Sequence, residues 1–249
     1  MKNYTKYILG LCTYFFTIKR IKTLKQRYNT ILVFAPHPDD EIIGLGGLIL
    51  HTLKHGGEVF ICFLTEGENS ECYHDKNEIK KQREVLTNKV LQQLNIPKKN
   101  RFRLKLPDGQ VPLRDNIEFD KAVSQITAVT EEVKPDAVYA TAESDFWPFD
   151  HVACSQLVKE AVKRINFKTD VWFYWVWTWY HLKPWQLLKL NFNKLYKMDI
   201  SMELKEKEKL MDTYLKPVSP DGFPWSGRLP KSMKYPFSKP FEIIEKYER

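Results

Sequence analysis

The chain contains 249 residues, of which 43% are hydrophobic and 28% are charged, a composition that permits one folded enzyme domain and excludes a disordered chain. The formal net charge of +8 is compatible with an acidic surface or an anionic lipid as partner, but the charge is spread along the sequence without a recognition motif, which argues against nucleic acid. Four cysteines without Cys-x-x-Cys spacing favour reduced thiols and a cytoplasmic location.

The N-terminal segment, residues 1–29, combines an apolar run over residues 7–18 with a basic stretch from Lys19 to Arg27. Twelve mostly apolar residues are too few to span a bilayer, which needs about 20. A signal peptide is also disfavoured, because basic residues stand where cleavage would need small ones. The segment is therefore either an interfacial anchor on an anionic membrane or a helix packed on the remaining single domain, residues 30–249.

The next segment carries potential metal ligands to the end of a strand. Residues 31–35 form an apolar run typical of a buried strand, prolines at positions 36 and 38 end it, and a helix begins near residue 42. In α/β sheets, ligands bind beyond the carboxyl ends of strands. His37, Asp39 and Asp40 occupy that position in this sequence.

His37 and Asp40 offer one nitrogen and one oxygen, a pair that suits zinc or another divalent first-row metal. Adjacent residues on a turn point in different directions, so Asp39 could face the attacking water as a general base. The alternative is that these acids cap the following helix, because Asp and Glu favour the first helical turn. Capping does not account for a histidine between two prolines.

A regular alternation of strands and helices follows. We predict helices over residues 42–55, 76–94, 116–133 and 151–165, and strands over residues 59–64, 101–106, 137–142 and 171–179. This order predicts an α/β fold with a mostly parallel sheet flanked by helices. The polar connection over residues 66–75 is expected to form a rim of the pocket.

A third metal ligand should come from another strand end, and His151 is the best candidate. It follows the predicted strand 137–142 and stands at the start of a helix, at the same edge of the sheet. Asp150 beside it could orient a ligand imidazole. On these residues alone, the Asp-His pair is weak evidence for a metal site, and a helix cap is the more ordinary interpretation.

The C-terminal third begins with an aromatic segment, residues 170–180, which either forms a buried last strand or lines a sugar-binding face near Trp179 and His181. Residues 202–210 predict a charged helix with Ser201 as its cap. Six prolines between Pro217 and Pro240 predict an irregular tail that lies over the domain and closes the cleft.

Five short motifs carry a resemblance to a known family. The Pro-His-Pro-Asp-Asp-Glu segment, residues 36–41, resembles the signature of the PIG-L/LmbE-like zinc-dependent de-N-acetylases. In the same order as in that family come residues 65–68 (Thr-Glu-Gly-Glu), an Arg83-containing helix, residues 106–109 (Leu-Pro-Asp-Gly) and Asp150-His151. The resemblance covers about residues 30 to 165, and its first motif is the most specific.

The resemblance implies a Rossmann-like fold with zinc held by His37, Asp40 and His151, and with Asp39 as the base that activates the attacking water. The implied reaction is hydrolysis of the N-acetyl group of an amino sugar in a glycolipid, a cell-envelope precursor or a glycosylated metabolite. Zinc lowers the pKa of water toward ~7 and polarises a carbonyl, which makes amide hydrolysis feasible at neutral pH.

One departure from the family is Pro148, which stands where many members carry a histidine three residues before the second metal histidine. Proline can neither donate a proton nor stabilise an oxyanion, work that usually contributes about 100-fold or more in rate. Asp145, His181 and Arg83 are the candidate substitutes. The departure keeps open an alternative, a catalytically impaired, metal-containing protein that binds carbohydrate.

Overall fold

The structure is a computed structural model and describes residues 2–70, 74–182, 184–187 and 190–248. Within these ranges the strands are β1 (Lys22–Thr23), β2 (Thr30–Ala35), β3 (Glu58–Phe63), β4 (Arg101–Arg103), β5 (Ala137–Thr141), β6 (Asp170–Tyr174), β7 (Leu195–Asp199) and β8 (Phe241–Tyr247). The α-helices are α1 (Lys2–Arg20), α2 (Asp40–Lys54), α3 (Lys76–Gln93), α4 (Phe119–Val133), α5 (Phe149–Arg164), α6 (Thr178–His181), α7 (Pro184–Leu187), α8 (Leu204–Leu215) and α9 (Lys231–Phe237).

The described strands form one eight-stranded sheet in the order β1-β7-β8-β6-β5-β2-β3-β4. All neighbouring pairs are parallel except those of β8, which runs antiparallel to both β6 and β7. From β2 the chain first builds outward through β3 and β4, and then returns to build the other side from β5. The strand order therefore reverses between β2 and β5, the kind of point at which open α/β sheets bind ligands.

The mostly parallel, helix-flanked fold predicted from the sequence is confirmed, with shorter strands at two places. The strand predicted over residues 101–106 ends at Arg103, and Lys105 has a φ of 56°, a left-handed conformation that interrupts a strand. The aromatic strand ends at Tyr174 rather than at residue 179. There the Asp145 carboxylate accepts hydrogen bonds from the Val176 and Thr178 backbone N–H groups, and the chain turns into α6.

The C-terminal region differs from the expected irregular tail. Residues 231–237 form α9, and residues 241–247 form β8, which lies inside the sheet instead of over the domain. The predicted charged helix exists as α8, but its N-cap is Glu203. Ser201 does not cap it, because its backbone N–H and hydroxyl both donate to the Asp199 carboxylate.

The N-terminal helix α1 packs on the body of the protein through its described C-terminal half. Tyr14 is buried, with its ring centroid 5.6 Å from those of Trp179 and Tyr235. After the helix, β1 pairs with β7 at the edge of the sheet. On the outer side, Phe15 and Ile8 remain exposed. None of the helices in the described ranges is long and apolar enough to cross a membrane.

Helix α2 is pressed against its neighbours at two glycines. A Cβ at Gly44 would lie 2.3 Å from Tyr174 Cδ2, and a Cβ at Gly47 would lie 2.4 Å from Ile200 Cγ2. Glu242 of β8 also accepts hydrogen bonds from the backbone N–H groups of Gly47 (2.7 Å) and Leu48 (2.9 Å). These contacts fix α2 relative to the sheet, and hence fix the turn from which α2 starts.

Candidate metal centre

Two neighbouring strand ends supply the polar residues of the candidate site. The turn from β2 into α2 carries His37, Asp39 and Asp40, and the first turn of α5, which follows β5, carries Asp150 and His151. The β2 turn is tied to the β3 end, because the backbone N–H and the hydroxyl of Thr65 both donate to the Pro36 carbonyl oxygen. The side chains therefore meet at the point where the strand order reverses.

His37, Asp40 and His151 lie together, as the sequence predicts for a metal site. One ligand atom from each lies within 4.8 Å of the others. Asp40 Oδ2 is 3.1 Å from His37 Nδ1 and 3.2 Å from His151 Nε2. Two imidazoles and one carboxylate form a donor set suited to a divalent first-row metal such as zinc.

The hydrogen bonding of His151 supports a cation at this point. The imidazole is fully buried, and its Nε2 faces Asp40 without a hydrogen bond to any described residue. Its other nitrogen, Nδ1, lies 3.2 Å from Asp145 Oδ2. Because buried polar atoms almost always have a partner, a free imidazole nitrogen facing a carboxylate fits a metal ligand.

The carboxylates and imidazoles of the cluster shift the pKa values of one another toward the charged forms. Burial lowers the pKa of His151, but the Asp40 carboxylate and the hydrogen bond to Asp145 outweigh burial and raise it to about 9. For His37, burial is likewise outweighed by Asp108, Asp150 and Asp40, so its pKa lies well above its usual value. The pKa of Asp40 is held below its usual range by the two imidazoles, against the effect of burial. The carboxylates of the cluster thus strongly favour positive charge at this position.

Each imidazole has its own supporting carboxylate, and the assignment differs from the sequence expectation. Asp150, expected to orient its neighbour His151, instead lies 3.1 Å from His37 Nε2. Asp145, considered as a substitute for the missing histidine, orients His151. Asp145 is fully buried and also accepts from Thr178, so it is committed to structural contacts.

A second acidic cluster, His37 with Asp108 and Asp150, shares the His37 imidazole. Asp108 Oδ1 also lies 3.1 Å from His37 Nε2. Asp150 already accepts backbone N–H groups from Gly109 (2.7 Å) and Val111 (3.1 Å). We interpret these carboxylates as acceptors for a proton on Nε2, which leaves Nδ1 of His37 to face the metal.

Asp39 stands beside the three ligands in a strained backbone conformation. Its φ of 126° is rare for any residue except glycine, and its N–H donates to Glu41 Oε2 at 2.9 Å. Its carboxylate lies 3.4 Å from Arg83 Nη2, whose guanidinium also donates to the Pro38 carbonyl oxygen. Burial raises the pKa of Asp39 to about 7, although Arg83 acts in the opposite direction.

A cavity of about 350 Å³ opens beside this cluster. Its floor contains His37, Asp39, Asp40, Asp108 and Asp150, and its walls contain Arg83, Trp147, Pro148, Trp177 and the segment Ser226–Leu229. The hydroxyl oxygens of Ser70 and Ser226, which also line the cavity, have no hydrogen-bond partner among the described residues. The cavity therefore offers polar atoms to a bound molecule above an acidic floor.

The three candidate substitutes for the missing histidine occupy different places. Pro148 does line the cavity, and of the three candidates only Arg83 lines it as well. His181 lies in an aromatic group, 4.7 Å from the ring of Phe146 and 5.9 Å from that of Trp147. His181 is therefore next to the cavity wall, not at its floor.

Sequence reasoning missed Asp108 as a site residue and missed the contribution of Ser226 and Arg228. Asp108 was visible as part of the Leu-Pro-Asp-Gly motif after β4, a position that leads to the same edge of the sheet. For Ser226 and Arg228 the only signal was the expectation that the proline-rich region closes the cleft. Both residues line the cavity.

Three enzymes are among the solved structures with the same fold. N,N'-diacetylchitobiose deacetylase from Pyrococcus horikoshii aligns with 20% identity and a TM-score of 0.60, covering 78% of this chain and 72% of that one. The teicoplanin deacetylase Orf2 aligns with 12% identity and a TM-score of 0.61, covering 87% and 97%. The hydratase GalB from Pseudomonas putida aligns with 17% identity and a TM-score of 0.59, covering 74% and 78%.

These likenesses establish the fold, and a hydratase among them shows that the fold alone does not specify the reaction. The sequence itself is more specific. Residues 32–162, more than half of the chain, match the PIG-L family, described as GlcNAc-PI de-N-acetylase. This range contains the turn after β2, Arg83, Asp108 and the Asp150-His151 pair. The chain therefore belongs to the PIG-L family of de-N-acetylases.

Proposed function

We propose that this protein hydrolyses the N-acetyl group of an N-acetylated amino sugar, with zinc held by His37, Asp40 and His151. The observation that carries the proposal is the convergence of these three side chains, with His37, Asp40 and Asp39 lining one cavity, in a chain of the de-N-acetylase family. The Nε2 of His151, which faces the Asp40 carboxylate without a hydrogen bond, and the mixed nitrogen and oxygen donors support a zinc-like metal.

When bound, such a metal would polarise the acetyl carbonyl and acidify water. We assign the proton transfers and the positioning of the imidazoles to the side chains. Asp39 accepts a proton from the attacking water and returns it to the departing amine, so that acetate and a free amino sugar are formed. A carboxyl whose pKa is raised toward 7 by burial is suited to both transfers near neutral pH. Asp145 and the Asp108/Asp150 pair hold the two imidazoles in place.

Arg83 is our candidate for the work that the missing histidine does elsewhere in the family. It lines the cavity, and its Nη2 lies 3.4 Å from Asp39 Oδ2. Its Nε is buried without a hydrogen-bond partner among the described residues. A fixed guanidinium beside the base can stabilise negative charge that develops on the acetyl oxygen.

The cavity also suits a sugar. Trp147 and Trp177 present aromatic surface, and the apolar faces of a pyranose ring pack well on such planes. The free hydroxyls of Ser70 and Ser226 can exchange hydrogen bonds with sugar hydroxyls.

We further propose a cytoplasmic protein, supported by free thiols at Cys12, Cys62 and Cys154. Peripheral contact with an anionic membrane through α1 remains a proposal, supported by exposed Ile8 and Phe15.

The test is acetate release from a panel of N-acetylated amino sugars by the zinc-loaded protein. Asp39→Asn removes the base and should lower kcat by about 100-fold or more, with little change in zinc affinity. Asp115→Asn, an acid exposed outside the cavity, serves as the matched control and should keep full activity. Equal turnover by Asp39→Asn and the parent would refute the assignment of the base.

The alternative function, kept open because Pro148 replaces the family's histidine, is that of a metal-containing protein that binds carbohydrate without turnover. Sugar binding by calorimetry, combined with no acetate release from any member of the panel, would favour that alternative over the enzyme. The presence of Arg83 beside Asp39 is the observation that favours the enzyme.

A further inference from the structure

Asp39 lies in a backbone conformation that the surrounding chain must hold. Its φ of 126° and ψ of −28° fall outside the regions that residues with a Cβ ordinarily adopt. Such a conformation persists only where neighbouring groups fix it. A change of φ would turn the Asp39 carboxylate away from its present position, 3.4 Å from Arg83 Nη2. The groups that bind the Asp39 backbone therefore control where the proposed base points.

Glu41 is the side chain that binds this backbone. Its Oε2 accepts a hydrogen bond from the Asp39 N–H at 2.9 Å. A glutamate in the first turn of a helix is usually exposed, where its charge interacts favourably with the helix dipole. Glu41 is instead fully buried, and it is not among the described residues that line the cavity. It is thus placed to hold Asp39 without contacting a bound sugar.

The other oxygen of Glu41 is held from a distant part of the chain. Tyr214, in the last turn of α8, donates its hydroxyl to Glu41 Oε1 at 2.7 Å and is 1% exposed. Helix α8 packs against α2, which contains Glu41, and against α3, which carries Arg83. Tyr214 lies outside the range 32–162 that matches the family. A hydroxyl of the C-terminal region thus sets the orientation of the Glu41 carboxylate.

We propose that Glu41 and Tyr214 are positioning residues for the reaction: Tyr214 orients the Glu41 carboxylate, and Glu41 holds the Asp39 backbone so that the Asp39 carboxylate faces the attacking water. This inference rests on the proposed function, in which Asp39 is the base. Both side chains act on the rate of proton transfer through Asp39. Their loss therefore affects kcat, and leaves KM and zinc affinity unchanged.

The first test removes the Tyr214 hydroxyl from the full-length, zinc-loaded protein. Tyr214→Phe keeps the buried ring, and we expect kcat for acetate release to fall by about tenfold at unchanged KM and zinc affinity, because the base is misplaced but present. Tyr28→Phe is the matched control, since the Tyr28 hydroxyl also donates to a carboxylate at 2.7 Å, that of Asp170. That pair lies next to the amino-terminal ends of β2 and β6, away from the site. Equal kcat values in the two variants would overturn the proposal.

A double-mutant cycle separates positioning from a general loss of stability. In an Asp39→Asn background no base remains to be positioned, so Tyr214→Phe should cause no further decrease of the residual kcat. The same decrease of about tenfold in both backgrounds would show that the hydroxyl acts by another route. That result would also overturn the proposal.

The Glu41 side chain is tested with two substitutions. Glu41→Gln keeps an oxygen for the Asp39 N–H and an amide group for the Tyr214 hydroxyl, so kcat should stay within about threefold of the parent value. Glu41→Ala removes both contacts and should lower kcat by about tenfold or more. If Glu41→Gln were as impaired as Glu41→Ala, the charge of Glu41 and not its hydrogen bonds would matter, and the proposal would be wrong.

Crystal structures of these two variants give a measurement that does not depend on activity. The φ of Asp39 should stay near the parent value in Glu41→Gln and become negative in Glu41→Ala. An unchanged φ in Glu41→Ala would overturn the proposal. If the parent protein releases no acetate from any substrate, the proposed function is refuted, whereas a φ that changes only in Glu41→Ala still supports the hold of Glu41 on Asp39.

Discussion

At the scale of single residues, the candidate centre depends on carboxylates that hold imidazoles. His151 is held at Nδ1 by Asp145, and His37 is held at Nε2 by Asp108 and Asp150. A carboxylate on the far nitrogen fixes the tautomer of an imidazole and raises its basicity toward a metal. The other two nitrogens, His37 Nδ1 and His151 Nε2, are thereby directed at Asp40.

The residue that tests this arrangement is Asp145. Asp145→Asn removes the negative charge beside His151 Nδ1, and we expect zinc affinity to fall by about 10-fold to 100-fold, measured by competition with a chelating dye. Thr178→Val is the matched control, since it removes a hydroxyl that donates to the other oxygen of the same carboxylate. It should lower stability without changing zinc affinity. Unchanged zinc affinity in Asp145→Asn would contradict the orienting role.

The proximity of the three candidate ligands could be predicted from the sequence, but the carboxylate partners of each imidazole could not. His37 and Asp40 are three residues apart on one turn, so their proximity follows from the local chain. Asp150 and His151 are adjacent in sequence, yet their side chains point to different partners, because α5 begins at Phe149 and successive helical residues point in different directions. Asp145 reaches His151 only because the chain bends back after β5, which residue spacing does not reveal.

At the scale of elements, helix α2 is the support of the site, since its first turn carries Asp40. It is held by a buried ion pair at its inner side. Lys207 of α8 and Glu242 of β8 are 1% and 3% exposed, with Nζ and Oε1 2.7 Å apart. Glu242 also accepts the two N–H groups of α2 at Gly47 and Leu48. Three elements thus meet at one carboxylate.

We expect Lys207→Met to lower the free energy of unfolding by about 3–5 kcal/mol, because it leaves the Glu242 charge buried without its cation. Lys54→Met provides the control, since Lys54 and Glu206 also join α2 and α8 at 2.7 Å, but with side chains that are 43% and 49% exposed. Loss of this exposed pair should cost about 1 kcal/mol or less. Chemical denaturation measures the free energy of unfolding of both variants. Similar decreases in the two variants would contradict the idea that burial makes the Lys207–Glu242 ion pair important.

The elements from β2 to β6 were predictable because each combines an apolar pattern with a clear turn signal. Strands β1, β7 and β8 were not predicted. Residues 241–247 contain Glu242, Glu245 and Lys246, and such a charged pattern gives little indication of a strand in the interior of a sheet. Glu242 is buried there only because Lys207 and the N–H groups of α2 satisfy it, and these partners are distant in sequence.

At the scale of the whole molecule, the acidic cluster makes stability depend on metal. If zinc binds the proposed ligands, it binds the folded state, in which they are assembled, and it should stabilise the fold by about 2.7 kcal/mol at a concentration 100 times its Kd. For a chain of this size we expect a Tm about 5–10 °C higher with zinc than with a chelator, measured by calorimetry. Asp40→Asn removes one ligand and should abolish most of this difference. A full zinc-dependent shift in Asp40→Asn would contradict the proposed ligand set.

The placement of β8 has a consequence for synthesis on the ribosome. This strand joins β6 to β7, yet it is translated after every other strand of the described sheet. While the nascent chain is incomplete, β6 therefore presents an open edge that can pair with foreign strands. Closure of that gap also brings Glu242 to α2, so the turn after β2 acquires its final support only when translation has passed Tyr247.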